Sequence, residues 1–198
     1  MSTSPPSRAR FHENQWNADP TFYPTARLAM EAPAERYAYV AALAQKSRSD
    51  ALLVIDVDPA SRGYGEVVGR LDLPTIGDEL HHFGWNACST ALCPYAPHPH
   101  LERRYLIVPG IRSSRIYVID TKPDPRRLEI VKTIEPEDVF KRTGYSRPHT
   151  VHCGPEGIYV SALGAPDGTG PGGIFLIDHY DFNVLGRWEV DRGPQQLA

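Results

Sequence analysis

The sequence predicts an all-β chain: a partial β-propeller of about three four-stranded antiparallel blades, with short helices in the connections. Three observations carry this expectation. A pair of β-rich runs joined by a polar turn occurs three times, as LLVIDVDP/GEVVGRLDLP (52–74), RIYVIDTKPDP/LEIVKTIEP (115–136) and GIFLIDHYD/FNVLGRWEV (173–190). In each copy the first run ends in Ile-Asp, at Ile55-Asp56, Ile119-Asp120 and Ile177-Asp178, so the copies are spaced by 64 and 58 residues. A further strand-like run precedes the second and third copies, YLIVPG (105–110) and GIYVSALG (157–164), and ahead of each stands a histidine-bearing segment, HHFGWNACSTA (81–91) and HTVHCGP (149–155). Four short antiparallel strands per period make a propeller blade, and a period near 60 residues implies blades with insertions.

In chain order, residues 1–22 are a polar, proline-bearing lead-in that reads as disordered, and 23–198 read as the N-terminal part of the propeller. The first blade is expected at about 34–74, the second at 80–136 and the third at 147–190. Residues 24–47 are ambiguous, because Pro33 followed by AERYAYVAALAQK suits a helix while Tyr37, Tyr39 and Val40 suit a strand. The repeat decides for a strand at YAYVAAL. PEDVFKR (136–142), with Pro first and two carboxylates in its first turn, reads as a short helix between blades two and three. GAPDGTGPGG (164–173) lacks the Lys-Ser/Thr ending of a phosphate loop and reads as a hairpin loop. Propellers typically close with four to eight blades, so three blades imply the front part of a larger ring, with open blade edges available for self-association.

Composition narrows the function classes. A net charge of −3 with no basic block argues against nucleic acid as a partner, and no apolar run is long enough to span a membrane. The first residues lack the apolar stretch of a secretory signal. Three cysteines, Cys88, Cys93 and Cys153, do not form a disulfide framework, so they are expected unpaired in a reducing, cytoplasmic setting. Cys88-x4-Cys93 lacks the spacing of a redox dithiol or zinc ribbon. Cys153, beside His152, reads either as a thiolate next to a cation or, more commonly, as a buried free cysteine.

The eight histidines carry the strongest chemical signal. His81 and His82 open the second blade, and His149 and His152 open the third, with His149 placed 67 residues after His82. First strands of successive blades line the channel of a propeller, so equivalent positions converge. Converging imidazoles suit copper, zinc or iron. Adjacent strand residues point to opposite faces, so either His81 and His82 lie in an irregular loop or only one of them ligates. Asp78 and Glu79 stand upstream, where a carboxylate orients a ligating imidazole by accepting its second N–H. The competing reading is of channel or turn histidines bonded to backbone carbonyls. His98 and His100 fall in a proline-rich insertion and read as loop residues, and the sequence assigns no role to His12 or His179.

DELHHFGWNACS (78–89), SSRIYVIDT (113–121), IEPEDV (134–139), PHTVHCGPEGIYVSALG (148–164) and GGIFLIDHYDFNVLGRWE (172–189) together resemble the selenium-binding protein family, also known as methanethiol oxidases, over about residues 23–189. The resemblance implies a propeller more than twice this length. It implies copper-dependent oxidation of methanethiol by oxygen and water to formaldehyde, hydrogen sulfide and hydrogen peroxide. It places copper ligands at His81, His82 and His149 and, less surely, His152, with a remaining ligand in a further half of the ring. The cysteine proposed to bind selenium in some members falls at Gly65 here, so no selenium site is carried over. Many members have a CxxC after the tryptophan, where this chain has Cys88-x4-Cys93. The residues thus leave two further readings beside the enzyme: a non-catalytic selenium- or metal-binding or interaction module, and an inactive truncated product.

Overall fold

The computed structural model describes residues 19–45, 47–88, 100–154 and 156–188. After a short helix, α1 (Ala26–Glu31), come β1 (Tyr37–Ala42), β2 (Ser49–Asp56) and β3 (Val67–Ile76). The chain continues through β4 (Gly84–Trp85), β5 (Tyr105–Pro109), β6 (Ile116–Asp120) and β7 (Glu129–Ile134). A second helix, α2 (Pro136–Thr143), leads into β8 (Ser146–Cys153), β9 (Ile158–Gly164), β10 (Gly173–Ile177) and β11 (Val184–Arg187). The strands form three antiparallel meanders ordered β1-β2-β3, β4-β5-β6-β7 and β8-β9-β10-β11, the arrangement of a partial β-propeller.

The middle strands are buried on both faces. All five residues of β6 (Ile-Tyr-Val-Ile-Asp) are buried, as a continuous apolar run between two neighbouring layers demands. Their side chains alternate between two cores. Ile116 and Val118 join Ile107 against Val151, Ile158, Val160 and Phe175 of the third sheet. Tyr117 and Ile119 join Leu106 and Val108 against Leu52 and Leu73 of the first. The outer strand β7 alternates exposed and half-buried positions from Glu129 to Lys132, as a strand with one solvated face does.

The repeated Ile-Asp has a mechanical cause. In each sheet the aspartate ends a strand (Asp56, Asp120) or directly follows one (Asp178) and turns the chain by accepting a hydrogen bond from the backbone N–H two residues on. Asp56 Oδ1 accepts from Asp58 at 3.0 Å, Asp120 Oδ1 from Lys122 at 2.9 Å and Asp178 Oδ1 from Tyr180 at 2.7 Å. By this register β1 matches β5 and β9, and among the described residues the first sheet has no strand matching β4 and β8.

Residues 37–42 are a strand because all six pair with β2, from Tyr37 opposite Asp56 to Ala42 opposite Ala51; this pairing outweighs their local helix propensity. The unanticipated α1 lies ahead of Pro33 and is capped by Thr25, whose hydroxyl accepts from the Leu28 N–H at 3.2 Å. α2 has the expected Pro at its start, Glu137 and Asp138 in its first turn, and Gly144 as a left-handed C-cap (φ 68°). Residues 165–172 form the connection between β9 and β10, closed by the Gly168 N–H donating to the Ala165 carbonyl at 2.8 Å.

The cysteines require a correction. Cys88 and Cys153 are not free thiols but a disulfide with Cα atoms 6.0 Å apart, so Cys153 is neither a thiolate nor a buried unpaired cysteine. They are 65 residues apart, one blade period, and therefore occupy comparable places on neighbouring blades. Cys93, His12 and His98 lie outside the described residues.

Candidate metal centre

The segment 78–82 is pinned before it delivers its histidines. Asp50, buried at the start of β2, accepts the Leu80 N–H at 3.0 Å and the Ala44 N–H at 2.8 Å. The carbonyls of Asp78 and Glu79 accept from Arg112 and Ile111 at 3.0 Å each, and the His81 N–H donates to the Pro109 carbonyl at 2.9 Å. Asp78 itself is fully buried, and its Oδ2 accepts from Thr75 at 2.5 Å and Tyr117 at 2.9 Å. Burial, together with the Asp78 charge, pushes the Tyr117 hydroxyl up to about 12, so it stays a proton donor. Asp78 therefore anchors the loop; none of its hydrogen bonds reaches an imidazole. Glu79 has a positive φ of 53° and pairs with Arg112.

His81 and His82 stand just before β4, outside regular strand, so alternation does not force them apart. His149 lies in β8 where its pairing with β9 slips between Pro148 and Val151, an irregularity that re-aims side chains. The three rings form a nearly equilateral triangle. Their centroids are 4.5 Å apart for His81–His82, 4.2 Å for His81–His149 and 4.4 Å for His82–His149. One nitrogen from each lies within 4.8 Å of the others.

β4 approaches β8 closely because residue 84 is glycine; a Cβ there would stand 2.8 Å from the Val151 carbonyl oxygen. The Val151 N–H donates to the His82 carbonyl at 3.1 Å. The Thr150 hydroxyl sits 2.8 Å from His149 Nδ1 and 3.4 Å from His82 Nδ1. His81 Nδ1 is buried with no hydrogen-bond partner among the described residues. Burial, then the neighbouring His81 and His82, hold the His149 imidazole below the ordinary histidine range, so the neutral form is favoured.

His152 does not join the triangle. It is exposed, with Nδ1 2.7 Å from the Cys153 carbonyl. Gly65 sits in the β2–β3 turn at φ 81°. His100 pairs with the Tyr180 hydroxyl at 2.9 Å, and His179 is buried. Sequence reasoning missed Asp50, Thr150 and Cys88. For Cys88 a signal was present, since its distance from Cys153 nearly equals that from His82 to His149.

Three imidazoles satisfy the donor chemistry of copper, zinc or iron, and His81 Nδ1 is, with Asp78 Oδ1 and Arg103 Nε, one of three buried side-chain polar atoms among the described residues in need of a partner. Fold and site together define the class: a partial β-propeller with a potential metal-binding site built from two neighbouring blades. A family model described as 56 kDa selenium binding protein matches residues 16–198, and the chain belongs to this selenium-binding protein family. It is 44% identical over 173 residues to selenium-binding protein 3 of Arabidopsis thaliana, covering 85% of this chain and 35% of that protein. It is also 44% identical over 174 residues to a methanethiol oxidase of Xenopus laevis, covering 86% and 36%. The X-ray structure of a hypothetical selenium-binding protein from Sulfolobus tokodaii superposes with a TM-score of 0.82 at 60% identity, over 89% of this chain and 39% of that one. The chain thus spans little more than a third of the length of these relatives. Among the described residues no helix is long and apolar enough to cross a membrane.

Proposed function

We propose that His81, His82 and His149 hold a copper ion, and that this chain forms a portion of a methanethiol oxidase. The observation that carries the reading is the convergence of three imidazoles from two blades, with ring centroids 4.2 to 4.5 Å apart. Copper, when bound, supplies the redox chemistry that oxidises methanethiol with oxygen and water to formaldehyde, hydrogen sulfide and hydrogen peroxide, which ordinary side chains do not provide. The chain's own residues prepare the donors. The depressed proton affinity of His149 keeps it in the neutral, ligating form at neutral pH. The Thr150 hydroxyl engages the Nδ1 atoms of His149 and His82, leaving their Nε2 atoms as donors. His152 and Asp78 add no donor, and Gly65 offers selenium no thiol.

The test is copper content and peroxide release from methanethiol, measured on the purified chain. Copper is expected to load, and His82→Ala or His149→Ala to abolish loading while circular dichroism stays unchanged. Unaltered copper content in both variants would overturn the site. Copper bound without peroxide release would assign the alternative, a non-catalytic metal-binding module, to these blades by themselves.

A further inference from the structure

The Cys88–Cys153 disulfide joins the same two chain segments that carry the three imidazoles. Cys88 follows β4, six residues after His82, and Cys153 ends β8, four residues after His149. β4 and β8 belong to different sheets, so no ladder of backbone bonds holds them side by side. Among the described residues, one backbone hydrogen bond (Val151 to His82) connects them beside the imidazoles, and the disulfide connects them at the far end. Cys88 is exposed and Cys153 half-buried, so solvent reaches one side of the bridge. Exposed disulfides are the ones open to thiol exchange, because the incoming thiolate must approach along the S–S axis.

We propose that Cys88–Cys153 is a thiol-exchange site for small thiols, and that opening it weakens metal binding at His81, His82 and His149. A small thiolate attacks Cys88 Sγ. The S–S bond breaks, Cys153 leaves with the electron pair as a thiolate and takes a proton from solvent, and a mixed disulfide remains on Cys88. A second thiolate attacks the thiol-derived sulfur of that adduct, releasing the small disulfide and leaving Cys88 reduced. Two thiols are oxidised and one protein disulfide is reduced. The cores on both sides of β5 and β6 do not involve either cysteine, so the blades stay folded when the bridge opens. What is lost is the covalent brace after β4 and at the end of β8, and with it part of the preorganisation of donors carried by the two segments. The exchange half of this proposal stands on the bridge alone; the coupling half rests on the copper reading above.

The experiment uses 2-mercaptoethanol as the thiol and copper(I), offered from a competing chelator, as the metal. Brief exposure followed by acid quenching and peptide mass spectrometry is expected to find the thiol adduct on Cys88. A bridge that stays intact, or an adduct found on Cys153 alone, would overturn the exchange step. Copper affinity is then compared among the oxidised chain, the chain reduced and alkylated, and the Cys88→Ser/Cys153→Ser variant, neither of the last two having thiols at these positions. Both are expected to bind copper roughly ten-fold more weakly, the size of effect seen when supports behind metal ligands are removed. Equal affinity in all three would overturn the coupling. If instead His82→Ala and His149→Ala leave copper affinity intact, the histidine site fails while the exchange result stands by itself.

Discussion

Two features of this chain repeat, and they repeat differently. The Ile-Asp hairpin occurs in all three sheets, and in all three the aspartate does the same work, folding the chain back by accepting the N–H two residues on. The histidine segment occurs at the start of the second and third blades, just before β4 and within β8, and its side chains do not perform equivalent tasks. His81 and His82 come from an irregular loop, His149 from a slipped strand, and His152 is exposed and engages the Cys153 carbonyl instead. A motif present in every repeat reports how each blade is built. A motif present in neighbouring repeats, with altered geometry in each, reports what the blades do together.

The sharpest way to break this contrast is Gly84→Ala. The new Cβ would meet the Val151 carbonyl oxygen at 2.8 Å, so β4 and β8 must part. A loss of about 3 kcal/mol is expected in urea unfolding, together with weakened copper binding, since His82 lies two residues before Gly84 and His149 lies in β8. Unchanged copper affinity would show that the triangle does not depend on the close approach of these strands.

The hairpin aspartates test the other half. Asp120 accepts two hydrogen bonds from Arg104, at 2.7 and 2.5 Å, besides closing its turn. That Arg104 partnership, ahead of the turn bonds, holds its carboxyl below the usual carboxylate range. Asp120→Ala is expected to cost about 2 kcal/mol. Asp178→Ala, where the turn bonds are to backbone alone, is expected to cost about 1 kcal/mol. Both should leave copper affinity untouched, and a change in either would erase the distinction between building and acting repeats.

The smallest expected effect is on pH dependence. His149 titrates below its ordinary value in the folded chain, so on acidification the unfolded chain takes up the proton first. Stability from this group is therefore constant above the ordinary histidine pKa and declines as pH falls below it, until the folded form is protonated too. Urea midpoints measured from pH 7.5 to 5 should show this decline in the metal-free chain and a shallower one in His149→Gln.

The blade pattern was legible because hairpins are local: alternation, turn residues and the Ile-Asp spacing all lie within a few residues of one another. The histidine triangle was legible by the same arithmetic carried one level up, since equivalent positions in successive blades meet. The disulfide obeys that arithmetic too, but Cys88 has Cys93 as its neighbour in sequence and Cys153 as its neighbour in space. Asp78 illustrates a different limit. Its position before two histidines suggested an imidazole partner, whereas its bonds run to Thr75 and Tyr117, and no spacing rule distinguishes a carboxylate that orients a ligand from one that anchors a loop. Asp50 and Thr150 are similar cases, because each acts through one directional bond that leaves no periodic trace.

The alternation along β5 and β6 has a consequence for the order in which the molecule comes apart. Because successive residues of the second sheet feed opposite cores, that sheet is the shared wall of two compartments, while the first and third each close only one. In a linear array with nearest-neighbour coupling, the central unit cannot open unless both junctions open. Amide protons of β6 should therefore exchange with deuterium only through global unfolding, and those of β3 and β11 through cheaper, partial openings. A ligand gripped by donors from the second and third sheets would tighten one junction and leave the other as it was, so binding would be read as slowed exchange in β8 and β9 well before any change in β1.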